Sequence, residues 1–235
     1  MSIIRQPFRF AHFHAVYWLI GINLLVFIAM SIFGDMRVSD LDISDLGYED
    51  RYGRVYQKME MSLNNMLAMM PQAVVKKGTI WSFVTYMFMH GGLTHILFNM
   101  FGLFIFGIHV ERQMGSREFL LFYLVTGALA GILSFIIYAL SGSMLVNLVG
   151  ASGALYAVML AYAVMYPSSI IYIWGIIPLR APVMVLGYTI LSLLFIVTGG
   201  GGNVAHATHL AGFVFAWLYF MIRFGISPWR RLTGR

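Results

Sequence analysis

Six long stretches of this chain carry no charged side chain, and they leave little freedom for its architecture. They run roughly over residues 16–33, 93–110, 119–140, 150–166, 182–197 and 206–222. A helix needs about 20 apolar residues to cross a hydrocarbon core of about 30 Å, with a working range of about 17–25. Composition agrees: 60% of the residues are hydrophobic and 10% charged, against about 45–50% and about 25% in soluble domains. A folded protein of 235 residues cannot hide that much apolar surface from water, so its solvent is largely lipid. Disorder and a secreted disulfide scaffold are excluded on the same grounds. The excess of 15 Lys and Arg over 9 Asp and Glu reads as a topology signal rather than a nucleic-acid footprint. There is no cysteine, hence no thiolate ligand and no cysteine nucleophile.

Charge placement sets the count and the orientation. Arg5 and Arg9 precede the first stretch, Arg112 and Arg117 separate the second from the third, and Arg180 separates the fourth from the fifth. Arg223, Arg230, Arg231 and Arg235 follow the sixth. With six spans all nine fall on one face, which the positive-inside rule makes cytoplasmic, along with both termini. The expected fold is an all-α membrane protein, a six-helix bundle forming one domain over residues 1–235, with a long first outer loop at 34–80. Within that loop the acidic run Asp35–Asp50 reads as turns. Arg51–Met70 reads as a helix, with Tyr56, Met59, Leu63 and Met66 at helical spacing; its Met-rich end suits either the lipid interface or ordinary packing. The fourth stretch is short and is closed by Pro167, so one end is expected to stop below the membrane surface. The apolar Ile170–Leu179 reads as an interfacial segment. The first stretch is too long for a signal-peptide core and lacks a small-x-small cleavage site, so it reads as retained.

Polar residues inside membrane helices are costly and mark function. The second span opens with His90, His95 and Asn99, the fourth with Gly150-Ala151-Ser152-Gly153, and the sixth with His206 and His209. On this topology all three openings lie in the outer half of the membrane. Ser152, flanked by glycines at a helix start, fits a nucleophile beside free backbone N–H groups; it fits a helix cap or a packing contact as well. A serine hydroxyl needs a neighbouring base, and His209 supplies one if the sixth helix packs closely on the fourth. Gly212 and Ala216 form a small-xxx-small face for that purpose, opposite Gly153 and Ala157. Tyr156, one turn after Ser152, reads as a ring packed on the imidazole or as a plain packing aromatic. His95 and Asn99, at i and i+4, share a face and can donate to an oxyanion. His90 reads as loop support and His206 as structural or solvent-facing. His12, His14 and His109 fall on the cytoplasmic side. Four histidines near one face raise the question of zinc, but there is no His-Glu-x-x-His pattern and no acid in these spans, so no metal and no cofactor is expected.

These residues resemble the rhomboid family of intramembrane serine proteases. Trp81–His90 followed by Gly91–Asn99 is similar to the family's second-helix motif with its His-x4-His-x3-Asn core. Gly150-Ala151-Ser152-Gly153 resembles its Gly-x-Ser-Gly nucleophile motif, and Ala205–Gly212 the stretch that carries its catalytic histidine. Glu111–Ser116 resembles its Glu-x-x-x-Gly element. The likeness covers about residues 13–225. It implies a serine endopeptidase with Ser152 and His209 as a dyad and with His95 and Asn99 at the oxyanion. Gly150, Gly153, Tyr156, His90 and Gly212 would support them. It implies transmembrane protein substrates in a lipid setting and no nucleic acid; on that reading the glycine run Gly199–Gly202 suits a mobile cap or gate. A catalytically silent binder of membrane helices is the competing reading. Chain size suggests a prokaryotic cytoplasmic membrane; oligomeric state is not encoded. Two features depart from the family: the first outer loop has no Trp between Gly34 and Ile80, where a Trp-Arg pair is usual, and the sixth-helix face reads Gly212–Ala216 rather than Gly–Gly.

Overall fold

A computed structural model describes residues 8–49, 53–173, 175–199 and 205–234. Each apolar stretch lies in a helix: α1 (Ala15–Phe33), α2 (Leu93–Met114), α3 (Ser116–Leu140), α4 (Ser152–Met165), α5 (Ala181–Thr198) and α6 (His206–Phe224). Five of these are long and apolar enough to cross a membrane, and α4 is the shorter one. The chain is a multi-pass integral membrane protein. Arg5, Arg235 and the glycine cap beyond Gly199 lie outside the described residues.

The short helix α4 is the centre of the bundle. Ten of its fourteen residues are buried, because Gly153, Ala154, Ala157 and Ala161 let α2, α3 and α6 close around it. A helix apolar on every side is stable only when enclosed. At about 1.5 Å per residue it reaches only about 21 Å, less than the hydrocarbon thickness of about 30 Å. In contrast α1 and α5 lie at the periphery, with Leu25, Ile28, Ile32, Leu186, Ile190 and Val197 exposed as lipid-facing residues are.

The Glu-x-x-x-Gly element ties the helix ends together. Glu111 is buried and accepts from the backbone N–H groups of Ala15 at 2.6 Å and Val16 at 3.0 Å, and Ser116 Oγ donates to it as well. A carboxylate from α2 thus satisfies orphan donors at the start of α1. Gly115 then turns the chain into α3 at φ 82°, where a Cβ would press on Phe10 and Ala11. Within the first turn of α3, Glu118 is buried and takes Arg223 Nε at 2.8 Å and Nη2 at 2.9 Å. The Phe8 N–H at 3.0 Å and the Tyr219 hydroxyl at 2.5 Å complete its partners. The third helix begins three residues earlier than expected and carries this carboxylate inside.

The first outer loop is structured differently from its sequence pattern. Arg37–Asp42 (β1) and Lys58–Ser62 (β2) pair antiparallel, Leu41 opposite Met59, so neither the turn reading of Asp35–Asp50 nor the helix over Arg51–Met70 holds. Lys58-Met59-Glu60-Met61 alternates polar and apolar, and burying Met61 beside Leu41, Ile43, Met70 and Ala73 rewards a period of two over 3.6. Arg37 bridges Asp40 at 2.6 Å and Glu60 at 3.0 Å, offsetting the like charges that face each other across the pair. Among the described residues of the loop, α-helix is confined to Leu63–Leu67, capped by Ser62 Oγ, and to Pro71–Lys77. Met61, Met69 and Met70 are fully buried: the methionines pack against protein.

Trp81, one residue past the stretch in which no tryptophan occurs, anchors the loop by donating from Nε1 to the Met66 carbonyl at 2.9 Å. Thr85 Oγ1 donates to the Leu67 carbonyl at 2.6 Å. The segment Ile170–Leu179 forms a second hairpin, Ile170–Ile173 (β3) with Ile177–Arg180 (β4).

Candidate active site

Three segments meet where α4 begins. The loop 144–150 arrives fixed from two sides. Met69 and Leu148 exchange backbone hydrogen bonds at 3.1 and 2.9 Å, Gln72 N donates to the Met144 carbonyl at 2.9 Å, and Gly150 N donates to the Tyr86 carbonyl at 2.9 Å. Asn147 Nδ2 donates to Asn65 Oδ1 at 2.9 Å. Gly150 has φ 118° and could hold no side chain, since a Cβ there would sit 2.7 Å from His95 Nε2. Ser152 is the first residue of α4, so its N–H has no intrahelical acceptor.

The close approach of α6 brings His209 to this serine. A Cβ on Gly212 would run into the Gly153 carbonyl and lie 3.3 Å from the Ala157 nitrogen. Only a hydrogen at that position allows the two backbones to touch. One turn before it, His209 Nε2 lies 2.8 Å from Ser152 Oγ. Tyr156 stacks on the His209 ring with centroids 4.1 Å apart and planes 18° from parallel, which fixes the ring plane while the hydrogen bond fixes its edge. His209 is buried, so its ring is held within the bundle rather than at the surface.

His95 stands on the other side of Gly150. Its Nδ1 accepts from the Gly91 N–H at 3.4 Å, an assignment from the hydrogen-bond pattern that leaves the proton of the neutral ring on Nε2. That Nε2–H faces the gap beside Ser152 Oγ, which is 3.7 Å from the same Cβ point on Gly150. Asn99 is brought to the same face, where Nδ2 donates to the His95 carbonyl at 2.9 Å. One amide hydrogen is spent on the helix and the second is left for another acceptor. His90 packs edge-to-face on His95 with centroids 5.1 Å apart. Burial, helped by the neighbouring His95, pushes His90 down to about 4, so it is neutral at pH 7. His206 is half-buried, with its ring 4.9 Å from that of Phe195 on α5. Among the described residues no group of three or more His, Asp or Glu is placed to hold a metal ion.

Several supporting residues escaped the sequence reading. Tyr86 is fully buried; its hydroxyl donates to the Gly127 carbonyl at 2.7 Å while its own carbonyl holds Gly150. Gly127 and Gly131, four apart on α3, make room for Met87 and the Tyr86 ring, and that spacing was the available signal. Thr208 and Ser134 share a buried hydrogen bond of 2.7 Å that ties α6 to α3 beside the site.

Comparison with known proteins points the same way. The family model described as the Rhomboid domain matches residues 77–226, a range that includes Ser152, His209, His95 and Asn99. The chain is 28% identical over 204 residues to the Rhomboid protease GlpG of Salmonella choleraesuis, covering 85% of this chain and 59% of that protein. It is 29% identical over 174 residues to the mitochondrial RHOMBOID-like protein 12 of Arabidopsis thaliana, covering 68% and 50%. It is 32% identical over 144 residues to Rhomboid-related protein 2 of Mus musculus, covering 58% and 46%. The matched part thus spans about half the length of these relatives.

Proposed function

Because the chain belongs to the rhomboid family, we propose that it is an intramembrane serine endopeptidase that cuts single-span membrane proteins near the outer face. The observation that carries this reading is the 2.8 Å contact between His209 Nε2 and Ser152 Oγ at the glycine-flanked start of a buried helix. In the proposed mechanism His209 Nε2 takes the Ser152 hydroxyl proton as Oγ attacks the scissile carbonyl. The tetrahedral oxyanion is met by the Ser152 backbone N–H, His95 Nε2–H and the free Asn99 amide hydrogen. Collapse breaks the C–N bond, His209 returns the proton to the leaving amine, and the acyl group stays on Ser152. Water then attacks the ester with His209 again as base, releasing the carboxylate product.

The reading includes an orientation. Arg112, Arg117, Arg180 and Arg223 would face the cytoplasm with both termini, α4 acting as the sixth, partly sunken span, in a prokaryotic cytoplasmic membrane. The start of α4 is then the outer end, which suits a site reached by water from above and by a substrate helix from the side.

The test is cleavage of a single-span substrate in liposomes by the wild type, Ser152→Ala and His209→Ala. The expected result is cleavage by the wild type alone. Equal cleavage by all three would place the activity elsewhere. A folded wild type that neither cuts nor reacts with a fluorophosphonate probe would favour a silent binder of membrane helices.

A further inference from the structure

The dyad leaves one ring nitrogen of its base unaccounted for. For His209 Nε2 to accept the serine proton, the neutral ring must carry its proton on Nδ1. That Nδ1 is buried and has no hydrogen-bond partner among the described residues. A buried N–H without an acceptor is costly, and more so in the imidazolium formed during catalysis. Without an acceptor the ring is free to take the other tautomer, with Nε2–H pointing at Ser152 and nothing to receive the serine proton. In serine hydrolases with a third member a carboxylate performs this selection; here no described carboxylate bonds to His209.

One turn earlier on α6 stands another ring in the same condition. Both nitrogens of His206 are buried and have no partner among the described residues. The two rings are perpendicular, 85° between planes, with centroids 6.1 Å apart. That spacing is wider than a direct ring-to-ring hydrogen bond allows, and it is within the reach of one water held between facing nitrogens, which needs polar partners such as these. Phe195 on α5 lies against His206 and Tyr156 covers a face of His209, so neither ring is free to swing away.

We infer that His206, through one water, accepts the Nδ1–H of His209 and thereby selects the tautomer in which His209 acts as base. His206 is then a positioning residue, acting through His209 and touching no substrate. A neutral imidazole is a weaker acceptor than a carboxylate, so the relay stabilises the imidazolium moderately and sets orientation above all. The inference rests on the protease reading and extends it.

The test uses the full chain in liposomes with a single-span substrate, and compares His206→Phe and His206→Leu with His206→Asn and His206→Gln. Phe and Leu keep packing against Phe195 and remove the acceptor; the amides restore one. The expected result is a fall in kcat of about tenfold or more for Phe and Leu, with KM and thermal midpoint close to wild type, and recovery of most of kcat by at least one amide. A wild-type kcat in Phe or Leu overturns the inference. So does a loss that neither amide restores, which would make His206 a packing residue, and so does a rise in KM at constant kcat. Ser152→Ala and His209→Ala run in parallel: if they retain cleavage the protease reading itself falls, whereas if they are dead and His206→Phe is not, only the relay falls.

Discussion

Substituting Gly212 by alanine adds one methyl group at the tightest contact between α6 and α4. The added Cβ would collide with the Gly153 carbonyl oxygen and sit 3.2 Å from the Gly153 carbonyl carbon. Carbon atoms settle at about 3.5–4.0 Å, so the helices must part by on the order of 1 Å. Neither side can yield locally, because the obstacle is backbone on a helix that is itself enclosed. His209 lies one turn from Gly212 on the same face, and its 2.8 Å bond to Ser152 would open past the range in which a hydrogen bond holds. A displacement of this size costs about 100-fold in rate, and overpacking costs about 1–3 kcal/mol of stability. The assay is kcat on a single-span substrate in liposomes, with the thermal midpoint in detergent measured on the same preparation. Gly187→Ala is the control, since nothing lies within 4 Å of a Cβ on Gly187 and alanine is the better helix former; it should match wild type. If Gly212→Ala kept kcat within threefold of wild type, the argument that backbone contact positions the dyad would be wrong.

Three other perturbations probe the supports. Glu118→Gln removes the negative charge from an ion pair with Arg223 whose side chains are 1% and 11% exposed, so unfolding in detergent should be easier by about 3–5 kcal/mol; an unchanged midpoint would contradict this. Trp81→Phe deletes the indole donor to the Met66 carbonyl, and should cost about 1 kcal/mol and speed proteolysis within 34–80, while equal digestion rates would remove Trp81 as an anchor. His90 is neutral when folded down to about pH 4 but protonates near pH 6.5 when unfolded. The unfolded chain therefore binds the extra proton between these values, and stability drops as pH falls through that window, by up to roughly 3 kcal/mol. The fall in thermal midpoint from pH 7 to pH 5 should be smaller in His90→Gln, and parallel curves would rule His90 out as its source.

Membrane helices were legible because their signal is additive. A run such as Phe119–Leu140 needs no neighbour to declare it apolar. The start of α4 at Ser152 was legible for a local reason too: a glycine-bounded tetrapeptide follows an uncharged loop. The first outer loop was not, because its methionines satisfy two periods at once. Met59 and Met66 fit a helix face together with Leu63, while Met59 and Met61 fit one face of a strand. The choice fell to tertiary partners, Leu41 and Ile43, which lie some twenty residues away. Glu118 was hidden by proximity, three positions inside a helix whose start was placed at Phe119.

Glycines show why the candidate site was legible in outline but not in its supports. Gly21 and Gly187 have nothing within 4 Å of an added Cβ, whereas a Cβ on Gly212 would run into the Gly153 backbone and one on Gly131 would come within 2.7 Å of the Tyr86 ring. Nothing in the local sequence separates the two kinds, since all four sit in apolar helices. What singled out Gly212 was its place three residues after a histidine, a polar group that needs a reason to be in lipid. Gly131 has no such companion, and Tyr86 lies in a short helical segment more than forty residues earlier, so their contact exists only in three dimensions. Chemistry-bearing residues announce themselves in a membrane because the solvent penalises them. The small residues that aim them are cheap in lipid wherever they stand, and only the packing reveals which ones matter.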